Sequence, residues 1–166
     1  MLNLVVDNSG SLIEGGKRYI ERTVLRQLRE FWLEKNPSKS LRLFLLAQEG
    51  LQEVSWSEDE DVPSEILCPH GRARVTDVVF RQWAEDDGVV LISDYCMLPE
   101  DRKALRAWIG QLGVRRVRLV VVGDVLSVDQ SDQGLFTAEQ VGGVFDNFLP
   151  GNSEKCTVSY LLSGHR

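Results

Sequence analysis

Four short runs in this chain are apolar almost without interruption: "LNLVV" at residues 2–6, "LRLFLLA" at 41–47, "VVLIS" at 89–93 and "VRLVVV" at 117–122. A strand with one wet face alternates apolar and polar residues, whereas a strand covered on both faces reads as a continuous apolar run. Between these runs lie segments of helical period. In "KRYIERTVLRQLREFWLEK", Ile20, Val24, Leu28, Phe31 and Trp32 recur at the spacing of one helix face. The segment from Pro99 to Leu112 opens with proline in its first turn, presents Leu105, Trp108, Ile109 and Leu112 inward, and meets a stop at Gly113. Strands covered on both faces and alternating with amphipathic helices define a doubly wound α/β sheet.

The remaining segments complete the order. "LQEVSW" follows "LRLFLLA" after only Gln48, Glu49 and Gly50, so the two form an antiparallel hairpin at one edge of the sheet. "SEDEDVPSEILCPHGRAR", punctuated by Pro63 and Pro69, reads as a long surface loop. "TDVVFRQWAE" suggests a helix of two to three turns with Val79, Phe80 and Trp83 on one face, ending near Asp86, Asp87 and Gly88. "FTAEQVGGVF" carries a capping box, Thr137 with Gln140, and a staple from Phe136 to Val141, so a short helix starts there. "CTVSYLL" then closes the chain as a strand. The expected architecture is a six-stranded sheet, five strands parallel and "LQEVSW" antiparallel, with helices on both faces. Residues 1–166 are expected to form one domain, since a chain of 166 residues suits a single core.

Composition removes several functional classes. No apolar run reaches the roughly 20 residues of a membrane helix, and "MLNLVV" has neither a basic leader nor a cleavage site, which points to the cytoplasm. A net charge of −6 argues against nonspecific binding of nucleic acid. Arg115, Arg116 and Arg118 read as a solvated strand entrance. Cys68, Cys96 and Cys156 are odd in number and widely spaced, as expected for reduced core thiols, with zinc at Cys68 and His70 a remote alternative.

In doubly wound sheets, ligands sit beyond the carboxyl ends of the strands where strand order reverses. The first such end is "DNSGS", where Asp7, Ser9 and Ser11 gather three oxygen side chains in one loop. "GRARVTD" places Thr76 at the start of a helix, and "LISDYC" ends a strand at Asp94. Taken one at a time, Ser9, Ser11 and Thr76 suit helix caps and Asp94 a strand terminus. Taken together, the three loops share one edge of the sheet.

This set resembles the metal-ion-dependent adhesion site (MIDAS) of the von Willebrand factor A (vWA) domain: D-x-S-x-S in the first loop, a threonine in the second and an aspartate in the third. The matching positions, in the same order, are Asp7, Ser9, Ser11, Thr76 and Asp94, and the resemblance spans nearly the whole chain. It implies a Mg2+ or Mn2+ site in which the hydroxyls bind directly and the aspartates often act through water. That suits an ion that takes six oxygens and parts with water reluctantly. It also implies a module that is not an enzyme, completing the ion's shell with an acidic side chain of a partner protein. Small members of this kind resemble accessory subunits of bacterial multi-protein systems, working beside an ATPase or protease. The chain departs from the pattern in two places: Tyr95 follows Asp94 where glycine is common, and Gly71 lies five residues before Thr76 with Arg72 and Arg74 between. Those arginines either steer an acidic partner or, more simply, balance Glu58, Asp59, Glu60 and Asp61.

The enzymatic alternative is a PIN-like magnesium-dependent nuclease holding metal through Asp7, Asp94 and Asp124, with Glu21 as a fourth carboxylate; it leaves Ser11 and Thr76 without a role. A haloacid-dehalogenase-like phosphotransferase needs an acid at position 9, where Ser9 stands. A Ser-His-Asp set is not evident, with His70 in an acidic loop and His165 near the C-terminus.

Overall fold

The computed structural model describes residues 1–37, 40–123 and 133–149. Its sheet has six strands: β1 (Leu2–Asp7), β2 (Leu41–Ala47), β3 (Gly50–Val54), β4 (Gly88–Ser93), β5 (Val117–Val121) and β6 (Leu135–Thr137), in the order β3-β2-β1-β4-β5-β6. All neighbours pair in parallel except β2 with β3, which form the expected antiparallel hairpin at one edge. One strand among the described residues was not expected from the sequence. It is Leu135–Thr137, three residues beside β5, while the predicted strand at 156–162 lies outside the described residues.

The apolar runs do what their lack of alternation implies. Every residue of β1, β4 and β5 is buried, and side chains from successive positions enter two different cores. Leu2, Leu4, Val6, Val90, Ile92 and Val120 face one side with Val24, Leu28 and Trp32 of helix α1 (Lys17–Lys35). Val5, Val89, Leu91 and Leu119 face the other with Leu105, Trp108 and Ile109 of helix α3 (Pro99–Leu112). Both helices have the bounds their period and caps indicate, and Gly113 ends α3 with φ 94°.

Four expectations change. The segment after Thr76 is helical for only one turn, α2 (Thr76–Val79), and Phe80 is 78% exposed. Trp83 ends the helix by another route: its indole N–H donates to the Val78 carbonyl at 3.0 Å and its ring stands edge-on to Phe44, centroids 5.4 Å apart. On α1, Ile20 lies at the surface and Glu21 takes the inward position. Arg118 is buried rather than solvated. It projects from β5 and donates to the carbonyls of Val114, Val144, Asp146 and Asn147, which tie the 3-10 turn Ala138–Gly143 and the segment after it to the sheet. Cys68 and Cys96 are exposed free thiols, not core residues, and Cys156 lies outside the described residues. The Thr137–Gln140 pairing is present, with the Thr137 N–H donating to Gln140 Oε1 at 3.0 Å, although the turn it opens is 3-10. No described helix is long and apolar enough to cross a membrane.

Candidate metal centre at the carboxyl edge of the sheet

The chain leaves β1 for β2 on one side and returns to β4 on the other, so strand order reverses between β1 and β4. Their parallel register aligns Val6 with Ile92, which brings Asp7 at the end of β1 beside Ser93 and Asp94 at the end of β4. The side chain of Ser93 ties Asp7 to the backbone after β4: its Oγ donates to Asp7 Oδ2 at 2.7 Å and accepts the Tyr95 N–H at 3.0 Å. Asp7 Oδ1 accepts the Ser9 N–H at 3.0 Å, which folds the first loop back over the carboxylate.

Beyond Asp7 the loop makes a 3-10 turn, Gly10–Gly16, before α1 begins. Neither serine caps a helix. Ser9 precedes the turn without a side-chain cap bond, and the residue before α1 is Gly16. The two hydroxyls lie side by side, Oγ to Oγ 3.4 Å. The loop preceding α2 is fastened to this one by backbone bonds, Gly10 N–H to Gly71 O at 2.8 Å and His70 N–H to Asn8 O at 3.0 Å. Thr76 does not cap α2 either; Val75 holds that position in helical conformation.

These loops enclose a cavity of about 130 Å³ whose wall includes Asp7, Ser9, Ser11, Arg72, Ser93 and Asp101. Three of the five residues picked out by the resemblance thus share one wall. Thr76 is absent from that lining, where its neighbour Val75 stands instead. Asp94 is buried beside the cavity, with Oδ1 accepting the Cys96 N–H at 3.1 Å and Oδ2 accepting Lys17 Nζ at 3.2 Å.

Below the site is Glu21, wholly buried, with no hydrogen-bond partner for either carboxylate oxygen. Burial drives its pKa well above the usual carboxylate value, and the charges of Asp7 and Asp94 push the same way. Asp7 is also raised by burial, against the lowering effect of its bonds from Ser93 and Ser9. Helical spacing carries the signal for both Glu21 and Lys17: positions 17, 21, 24 and 28 form one stripe of α1, and its last two members are core residues. Ser93 is legible only as the one hydroxyl in "VVLIS", and nothing in the sequence marks it as the link between Asp7 and the backbone after β4.

Oxygen donors of this kind fit a hard divalent cation. Asp7, Ser9 and Ser11 supply a carboxylate and two hydroxyls to one wall, and Asp94 adds a second carboxylate now paired with Lys17. Among the described residues no three of His, Cys, Asp and Glu cluster as a metal site, so a cation here relies on hydroxyls. Among the described residues Cys68 and His70 likewise belong to no such cluster; His70 pairs with Glu49 at 2.8 Å.

The fold is that of von Willebrand factor A domains. The chain is similar to the VWA domain of SpRpn10, with TM-score 0.56 and 14% identity over 86% of this chain and 92% of that one. It is also similar to manganese-loaded Plasmodium vivax TRAP protein, with TM-score 0.53 and 16% identity over 89% of this chain and 72% of that one. A third likeness is to proximal thread matrix protein 1 from the mussel byssus, with TM-score 0.53 and 11% identity over 88% of this chain and 47% of that one. No family model and no curated protein matches the sequence.

Proposed function

We propose that this chain is a divalent-metal-dependent protein-interaction module that docks an acidic side chain of a partner protein at the edge formed by Asp7, Ser9, Ser11 and Asp94. The observation that carries the reading is the joint position of the Asp7 carboxylate and the Ser9 and Ser11 hydroxyls on the wall of one open cavity at the switch point of a vWA fold. That a structural neighbour of the same fold is manganese-loaded supports it. When bound, Mg2+ or Mn2+ would supply a positive centre that these residues only partly neutralise, because hydroxyls bring no charge.

The chain's own residues do the rest. Ser93 and the Ser9 N–H hold Asp7 in one orientation, and the Cys96 N–H holds Asp94. Arg72 in the cavity wall adds a positive charge that favours an incoming carboxylate. The partner is a protein presenting Asp or Glu, such as an ATPase or protease component of a larger assembly. The module performs no catalysis of its own and works in the cytoplasm.

The test is calorimetric titration of Mg2+ or Mn2+, repeated with a carboxylate-bearing partner peptide, alongside a pull-down run with magnesium and with chelator. Metal-dependent capture supports the reading, and absence of metal binding in both titrations ends it. The nuclease alternative loses its fourth carboxylate, since Glu21 is sealed from the cavity; its Asp124 lies outside the described residues. Manganese-dependent cleavage of nucleic acid that is lost in Asp7→Asn or Asp94→Asn would restore it.

A further inference from the structure

Lys17 occupies an unfavourable place for a cation. It is the first residue of α1, at the positive end of the helix dipole, where acidic residues are stabilising and basic ones are not. No acidic residue stands in that first turn. The side chain nonetheless turns in toward the sheet edge and is only 19% exposed, and Nζ meets a fully buried carboxylate, that of Asp94. Its route is built into the backbone. The methylenes of Lys17 lie against Gly123, just past β5, where a Cβ would come within 2.9 Å of Lys17 Cε and 3.2 Å of Cδ. A Cβ at position 123 would make the lysine stem shift, and Gly123 also has φ 96°, which L side chains rarely adopt.

With Lys17 in place, the Asp94 carboxylate has both oxygens engaged, one by the Cys96 N–H and one by the ammonium. We propose that Lys17 is a tethered counter-ion of Asp94 that competes with the divalent cation, so that metal enters only as Lys17 swings off the carboxylate. This inference rests on the metal-dependent reading above and adds its control element. Charge counting gives the direction. Asp7 and Asp94 together offer two negative charges, and the ammonium cancels one of them, so a divalent cation arriving beside Lys17 finds half the compensation it would find without it. A partner that draws Lys17 away raises metal affinity, and by reciprocity metal favours that partner.

The experiment compares wild type with Lys17→Met and Lys17→Gln. Met keeps the packing against Gly123 without charge, and Gln keeps a donor for Asp94. Mn2+ is titrated calorimetrically into each, and thermal unfolding is followed in chelator and in Mn2+. Both variants should bind Mn2+ about tenfold tighter than wild type, ~1.4 kcal/mol. They should also melt lower than wild type in chelator, where Asp94 has lost its cation, and recover that loss in Mn2+. Mn2+ affinity equal to or weaker than wild type in the variants overturns the inference while the metal-dependent reading stands. No Mn2+ binding by wild type or either variant overturns both.

Discussion

Replacing Glu21 with Gln should change how stability depends on pH. Glu21 is wholly buried, neither oxygen has a hydrogen-bond partner, and Asp7 and Asp94 act on it with like charge. Burial, the largest of these effects, holds its pKa well above 4.5 in the folded chain. The unfolded chain releases the proton near the ordinary value, so above that pH unfolding liberates a proton and is favoured as pH rises. Stability conferred by the neutral form is complete below about pH 4.5 and declines with each pH unit up to the folded pKa. The slope in that window approaches ~1.4 kcal/mol per unit for a single site. Gln has the same shape and does not titrate, so Glu21→Gln removes this slope. Asp7 is shifted in the same direction from 3.8 and leaves a smaller residual dependence in both proteins. Urea denaturation followed by tryptophan fluorescence at pH 5, 6, 7 and 8, in chelator, reads the effect as a midpoint difference at constant m. The two proteins should diverge in stability as pH rises, with the variant the more stable at pH 8. Parallel curves across that range would refute the reasoning, since they would mean that Glu21 titrates alike in the folded and unfolded chains.

Three further outcomes are expected. Asp7→Ala should weaken magnesium-dependent partner binding more than Ser11→Ala, because it removes charge as well as an oxygen; Ser11→Ala should cost under ~1 kcal/mol in urea melts, since Ser11 caps no helix. Arg118→Met should lower stability by about 2–4 kcal/mol in the same assay, because it strips charged donors from the Val144 and Asp146 carbonyls, bonded at 2.5 and 2.6 Å, and from Val114 at 2.7 Å. Phe80→Ser should change stability by no more than about 0.5 kcal/mol, given the exposure of Phe80, and a loss above 2 kcal/mol would show that the ring packs inward after all.

The sheet was readable because its central strands are sealed on both faces, and nothing but apolar residues suits positions such as Leu4, Val90 and Val120. The edge hairpin was readable from chain length alone, since a link as short as Gln48 to Gly50 cannot make a crossover. β6 was not, because three half-buried residues in "LFT" carry no periodicity. Nor was the early end of α2: Val79, Phe80 and Trp83 have helical spacing, and only the tertiary contact of Trp83 with Phe44 shows why the helix stops. At the site, Asp7, Ser9 and Ser11 could be found because they are adjacent in one loop. The links that orient them could not, since Ser93 is 86 residues from Asp7 and Lys17 is 77 from Asp94.

Tyr95 stands where the vWA resemblance leads one to expect glycine, and its backbone is left-handed, φ 59°. A residue with a Cβ carries a penalty of about 1–2 kcal/mol in that conformation. The ring is fully buried in the core shared with α3, and the Arg102 guanidinium lies 4.7 Å from its centroid. The loop bearing Asp94 is therefore anchored like a nail driven into the sheet, where glycine would have left a hinge. On the docking function proposed above, a contact loop held in this way would give up little conformational entropy on capture. Discrimination among partners of such a module would then fall to how well a rigid shape is matched, with little adjustment of the loop to each newcomer.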